Sequence, residues 1–222
     1  MVDMRVNVDI PLRKKVEKFN KTIGFARIDE DLLDKIGETD PDFLDTFTSF
    51  NYVDLITTAL NAAKKKVKIN SKLKLSISRN GELTATASFE EGSADKKKLE
   101  REVGELARQV AVELLAIVSQ ILGYTIIVNK EKVGGEDAVI IEGEKDVGTD
   151  VSRYLRIVNY ADGKTATQFE HFESEAVLSG ETAKLLALSK ALGIDMSVRG
   201  VKTNGAPIAH GAYHKGHLDH RT

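Results

Sequence analysis

Four of the five histidines in this chain, His210, His214, His217 and His220, fall within its last thirteen residues, beside Tyr213 and Asp219. Neutral imidazoles ligate zinc, nickel or copper, and steps of four, three and three bring three or four of them to one side of a helical turn. With Asp219 they would form the donor set of a metal-dependent hydrolase or nuclease, in which zinc or another divalent transition metal activates a water. Gly205, Gly211 and Gly216 work against the helix that this spacing needs. The tail is therefore read first as a polar segment available to a partner subunit, with the metal site as the alternative.

Other chemistry-bearing residue types are weaker still. His217-Leu218-Asp219-His220 resembles the latter half of the His-x-His-x-Asp-His signature of metallo-β-lactamase-fold hydrolases, but Lys215 stands where its first histidine belongs. Asp162-Gly163-Lys164-Thr165 is similar to the end of a phosphate-binding P-loop. Val158 occupies the position of the earlier glycine, though, and a strand pattern follows, which marks a hairpin turn instead. Gly134-Gly135 is too short for a dinucleotide loop. In Gln168 to Glu173, alternation puts Phe169 and His171 on one sheet face, and a general base made of His171 and Glu173 can be drawn, without a nucleophile to serve. Glu142 and Glu144, like Asp29, Glu30 and Asp31, read as solvated surface. No catalytic residue is assigned.

Lys64, Lys65, Lys66, Lys68, Lys72 and Lys74 make six lysines in eleven residues with no acid among them. They could bind nucleic-acid phosphates, but aromatic partners for bases are missing, and cations at a helix C-terminus also oppose its dipole favourably.

The elements that must position these residues are clearer. Leu99, Val103, Leu106, Val110, Leu114, Ile117 and Ile121 recur at steps of three or four, predicting a helix over 94–122 with Ser93 as its N-cap and Gly123 ending it. After Val110 the apolar positions spread to Val112, Leu115, Val118 and Leu122, more than a single sheet face can cover. Alternation predicts one hairpin from Lys72 to Phe89 around Asn80-Gly81, and a second from Tyr124 to Glu142 through Gly134-Gly135. The class is α+β: hairpin, helix, hairpin, with an antiparallel sheet on the long helix.

Upstream, Met4 to Ile10 predicts a strand, Asp29 to Ile36 a short helix, Thr39 to Asp42 a helix start, and Phe43 to Ala63 two helices broken near Ser49 to Asn51. Downstream of a charged linker at 144–150, strands at 153–160 and 165–172 flank a turn at Ala161-Asp162-Gly163. A helix over 181–192 and a strand near 194–198 follow. The division is thus an α+β domain over 1–146 and a smaller hairpin and helix unit over 147–222, or a single domain.

With 41 % apolar, 30 % charged and 6 % aromatic residues, the composition is that of a folded globular protein. No cysteine is present, which excludes disulfides, thiolate metal sites and cysteine nucleophiles. No apolar run is long enough to span a bilayer, and a cytoplasmic location is expected. A net charge of −2 does not favour a nucleic-acid partner. The function expected is a non-enzymatic intracellular homo-oligomer or partner-binding protein without a cofactor. The alternatives are the histidine-based metal hydrolase and a nucleic-acid-binding module at Lys64 to Lys74.

Overall fold

A computed structural model describes residues 16–23, 34, 38, 52–69, 72–79, 82–90, 94–148, 152–192, 194 and 196–198. In chain order the elements are β1 (Val16–Ile23), α1 (Tyr52–Lys66), β2 (Lys74–Ile77), β3 (Leu83–Glu90), α2 (Asp95–Ile121), β4 (Thr125–Val133), β5 (Glu136–Lys145), β6 (Arg153–Tyr160), β7 (Thr165–Glu170), α3 (Glu175–Ala191) and β8 (Ser197–Val198). The class is α+β, as the sequence predicts. There are two sheets rather than one: β1-β3-β2, and β4-β5-β6-β7-β8. All strand pairs are antiparallel except β7 with β8, which α3 connects.

The central helix has the predicted extent. Its start differs, because Ala94 is the N-cap residue and makes no side-chain cap bond. Its end is built as expected: Gly123 takes φ 90°, its amide donates to Gln120 O at 2.9 Å, and the Tyr124 amide donates to Ser119 O at 3.0 Å. These two bonds form a Schellman motif, which absorbs free carbonyls and reverses the chain into β4.

Beyond Val110, residues Val112, Leu114, Leu115, Ala116 and Val118 are all buried. At about 100° per residue they spread over about 200° of the cylinder, more than half of its circumference. The cover comes from within this chain. Both sheets, α1 and α3 contact α2, and one continuous core runs from Phe19 and Phe89 through Ile56, Leu60, Leu106 and Leu115 to Ile141, Leu155 and Leu188. Two sheets, where the sequence suggested one, account for an apolar excess that otherwise calls for a neighbouring molecule.

The Lys72–Phe89 hairpin forms with Ile77 opposite Leu83. In the second hairpin the strands run on to Val133 and Lys145, because Gly134 and Gly135, at φ 61° and 88°, make a two-residue turn whose twist matches the strands. β5 then pairs with β6 over eight positions, so strands placed on either side of the 146/147 boundary share one sheet. α3 begins at Glu175, six residues before the predicted start, because Ser174 caps it by accepting from the Val177 amide at 3.3 Å. β1 is a strand that the sequence concealed: Phe19 is deeply buried, while Val16, Lys18, Asn20, Lys21 and Thr22 are exposed. Asp34 and Glu38 are helical, Asp34 within the helix predicted over 29–36. The strand predicted from Met4 to Ile10, the helix start at Thr39 to Asp42 and the break at Ser49 to Asn51 lie outside the described residues.

Gly143 sits in the middle of β5 beneath Tyr124, where a Cβ would stand 3.1 Å from the Tyr124 Cβ and 3.2 Å from its ring. Gly143→Val should therefore displace the tyrosine and lower unfolding free energy by about 1–3 kcal/mol, read from urea denaturation with an unchanged m-value.

Candidate functional site

Antiparallel partners project to the same side of a sheet, so the register divides the five-stranded sheet into two faces. Val139, Ile141, Leu155, Ile157 and Phe169 face α2 and the core. On the opposite face Ile127, Glu142, Arg156 and Gln168 form one cross-strand row, and Thr125, Glu144, Tyr154 and Glu170 the next. Sequence reasoning took two acids of these rows, Glu142 and Glu144, for solvated surface. They are not: Glu142 is 2 % exposed, Glu144 5 % and Glu170 8 %.

Burial on this scale requires partners. Tyr154 Oη donates to Glu142 Oε1 at 2.9 Å, and Arg156 Nε lies 3.5 Å from the same oxygen. The Arg156 guanidinium also faces Glu131 at 3.9 Å. Glu142 Oε2 makes no hydrogen bond. Gln168 Nε2 donates to Glu170 Oε1 at 2.5 Å, and His171 Nε2 is 3.5 Å from Glu170 Oε2. The signal for this network is legible in retrospect: acids at alternate positions, 142 and 144, inside an Ile- and Val-rich strand.

The general base drawn from His171 and Glu173 does not assemble. β7 ends at Glu170, and His171 takes φ 65°, a left-handed conformation costly for a residue with a Cβ. This breaks the alternation and sets the imidazole against Glu170. Glu173 instead accepts from Arg153 Nε and Nη2 at 2.9–3.2 Å, and that guanidinium holds its carboxyl below the ordinary range. Arg153 also lies 5.4 Å from the centre of the Phe172 ring.

On the core side a second cluster joins the start of β4 to α3. Lys145 Nζ donates to Glu181 Oε1 at 3.0 Å and stands 5.5 Å over the Tyr124 ring. The Tyr124 hydroxyl is buried and turned toward Glu181 without the geometry of a full hydrogen bond. Burial first, and the Glu181 charge second, push its ionisation far above the ordinary 10.0.

The histidine cluster, His210, His214, His217 and His220 with Asp219, lies outside the described residues. Among the described residues no three His, Asp or Glu side chains converge to hold a metal ion. The lysine patch is split. Lys66 Nζ donates to Glu113 Oε1 at 2.7 Å, a carboxylate that also accepts from Gln109 at 2.6 Å, and Lys72 pairs with Asp95 at 3.6 Å. Lys64, Lys65, Lys68 and Lys74 are exposed. The first two share the last turn of α1 with Lys66, where they oppose the helix dipole.

Family models, curated proteins and solved structures give no match to this chain.

Two outcomes follow from these networks. Tyr154→Phe removes the hydrogen bond from Tyr154 to the buried Glu142 carboxylate and should cost about 1–3 kcal/mol in chemical denaturation. Tyr124 stays protonated in the folded state at a pH where the unfolded chain releases the proton, so its contribution is complete below about pH 10 and declines above it. Melting temperature should accordingly fall between about pH 9.5 and 11 more steeply in the wild type than in Tyr124→Phe, measured by circular dichroism.

Proposed function

We propose that this protein works by association, as a homo-oligomer in which β4 of one copy continues the sheet of another, and not by bond-making chemistry. The observation behind this reading is the outer edge of β4. Among the described residues β4 is the terminal strand of its sheet, nine residues long and paired on one side only. Such an edge presents a row of unpaired amides and carbonyls and is a template for another strand.

The side chains favour one half of that edge. Lys130, Glu131 and Lys132 guard the distal part, whereas Thr125, Ile126, Ile127 and Val128 carry no charge. Three of these four are only half-buried by their own subunit. Antiparallel pairing of two copies about a two-fold axis at Ile127 places Ile126 opposite Val128 on the same face. It sets Lys130 opposite Tyr124, so no like charges meet across the new ladder.

Light scattering at tens of micromolar should give a dimer mass, and Ile127→Lys should convert it to a monomer with unchanged far-UV circular dichroism. A wild-type chain that is strictly monomeric over this range removes the proposal.

A further inference from the structure

α2 and β4 leave Gly123 in opposite senses and run alongside each other. A helix advances about 1.5 Å per residue and a strand about 3.3 Å. Arg108, fifteen residues before Gly123, and Lys130, seven after it, therefore both lie roughly 22–23 Å from the turn. This ratio brings the middle of α2 level with the β4–β5 hairpin end. The register puts Lys130 and Lys132 on the face of β4 that carries Val139, the face turned toward α2.

Two cavities open there, and Arg108 lines both. One, of about 370 Å³, is bounded by Arg108, Lys130, Lys132, Glu131, Asp137 and Val139 among others. The other, of about 360 Å³, lies between α2 at Gly104 and Ala111 and the β6–β7 turn at Asn159 to Gly163.

The first cavity gathers three cations against two carboxylates, Glu131 and Asp137, and so carries a net positive charge. None of Arg108, Lys130 or Lys132 forms an ion pair among the described residues, and the Arg108 guanidinium makes only a 3.5 Å contact to Ala161 O. The acids nearby are engaged or misplaced. Glu131 belongs to the opposite face and meets Arg156, and Asp162 is tied to Lys164 at 2.6 Å. Asp137 stands opposite Lys132 in register without pairing with it. Cations gathered in this way repel one another until an anion joins them, and an arginine fork with unused donors suits a phosphate or carboxylate bidentately.

The second cavity is different in kind. Its wall is small at Gly104, Ala111, Ala161 and Gly163, with Glu105 and Asp162 also on it, and a Cβ built on either glycine would meet nothing within 4 Å. At its edge Asn159 is 3 % exposed. Its Nδ2 donates to Thr165 Oγ1 at 3.0 Å, and its Oδ1 is left without a partner. An orphaned buried acceptor calls for a donor.

We infer that this double cleft binds a small phosphorylated molecule, its phosphate held by Arg108, Lys130 and Lys132 and its uncharged, hydrogen-bonding body resting between Gly104 and Gly163 beside Asn159. The volumes are those of small-molecule sites, and the ligand is recognised by a cation-rich chamber joined to one walled by small residues.

Calorimetric titration of the full chain at low salt tests this with inorganic phosphate, pyrophosphate, adenosine monophosphate and adenosine as probes. Binding is expected for the phosphates, weakening as salt rises, and absent for adenosine. Arg108→Gln and, separately, the exposed Lys132→Gln should each reduce the affinity at least fivefold while melting temperature without ligand is kept. Gly104→Leu, which fills the second chamber, should weaken adenosine monophosphate and leave pyrophosphate unchanged. No binding by any phosphate at millimolar concentration overturns the inference. So does binding that survives both cation substitutions, or that is lost instead in a Lys64→Gln, Lys65→Gln, Lys68→Gln triple variant.

Discussion

A helix whose apolar side chains cover more than half of its circumference must be packed from more than one side, and covering the second half of α2 sets where everything else goes. No open sheet wraps a cylinder. The chain meets the demand with two sheets and two further helices, so that Val112, Leu114, Leu115 and Val118 all lose contact with water. Because the Schellman turn at Gly123 ties the buried end of α2 directly to β4, the five-stranded sheet is placed by the same helix that it covers.

That arrangement leaves the polar groups little room. Charges that enter the structure are held in small balanced sets: Glu142 between Tyr154 and Arg156, Lys145 between Tyr124 and Glu181, Glu113 between Lys66 and Gln109. Burying an ion without such company costs several kcal/mol. The cleft around Arg108 departs from the pattern: Arg108, Lys130 and Lys132 form no ion pair among the described residues, although Asp137 lines the same cavity.

Local signals carried much of the architecture. Glycine pairs, β-branched alternation and the helical period of α2 fixed both hairpins and the long helix, because those features act over a few residues. β1 was not legible, since a strand in which Phe19 is buried between exposed Lys18, Asn20, Lys21 and Thr22 looks like a loop until its partner is known. The burial of Glu142 and Glu144 was equally hidden. Alternation assigns residues to a face and is silent on whether that face is wet. The double cleft depends on the relative rise of a helix and a strand, a quantity no motif encodes. For the terminal histidines the sequence offered a chemistry, and they lie outside the described residues.

The pairing of β1 with β3 has a consequence for how the molecule comes together. Ile23 and Leu83 are neighbours in the ladder yet about sixty positions apart along the chain. As synthesis proceeds, β1 emerges long before its partner and has no edge to join, while the β2–β3 and β4–β5 hairpins close over a handful of residues. Loop-closure entropy thus makes the three-stranded sheet late to mature, completed only after its inner hairpin exists.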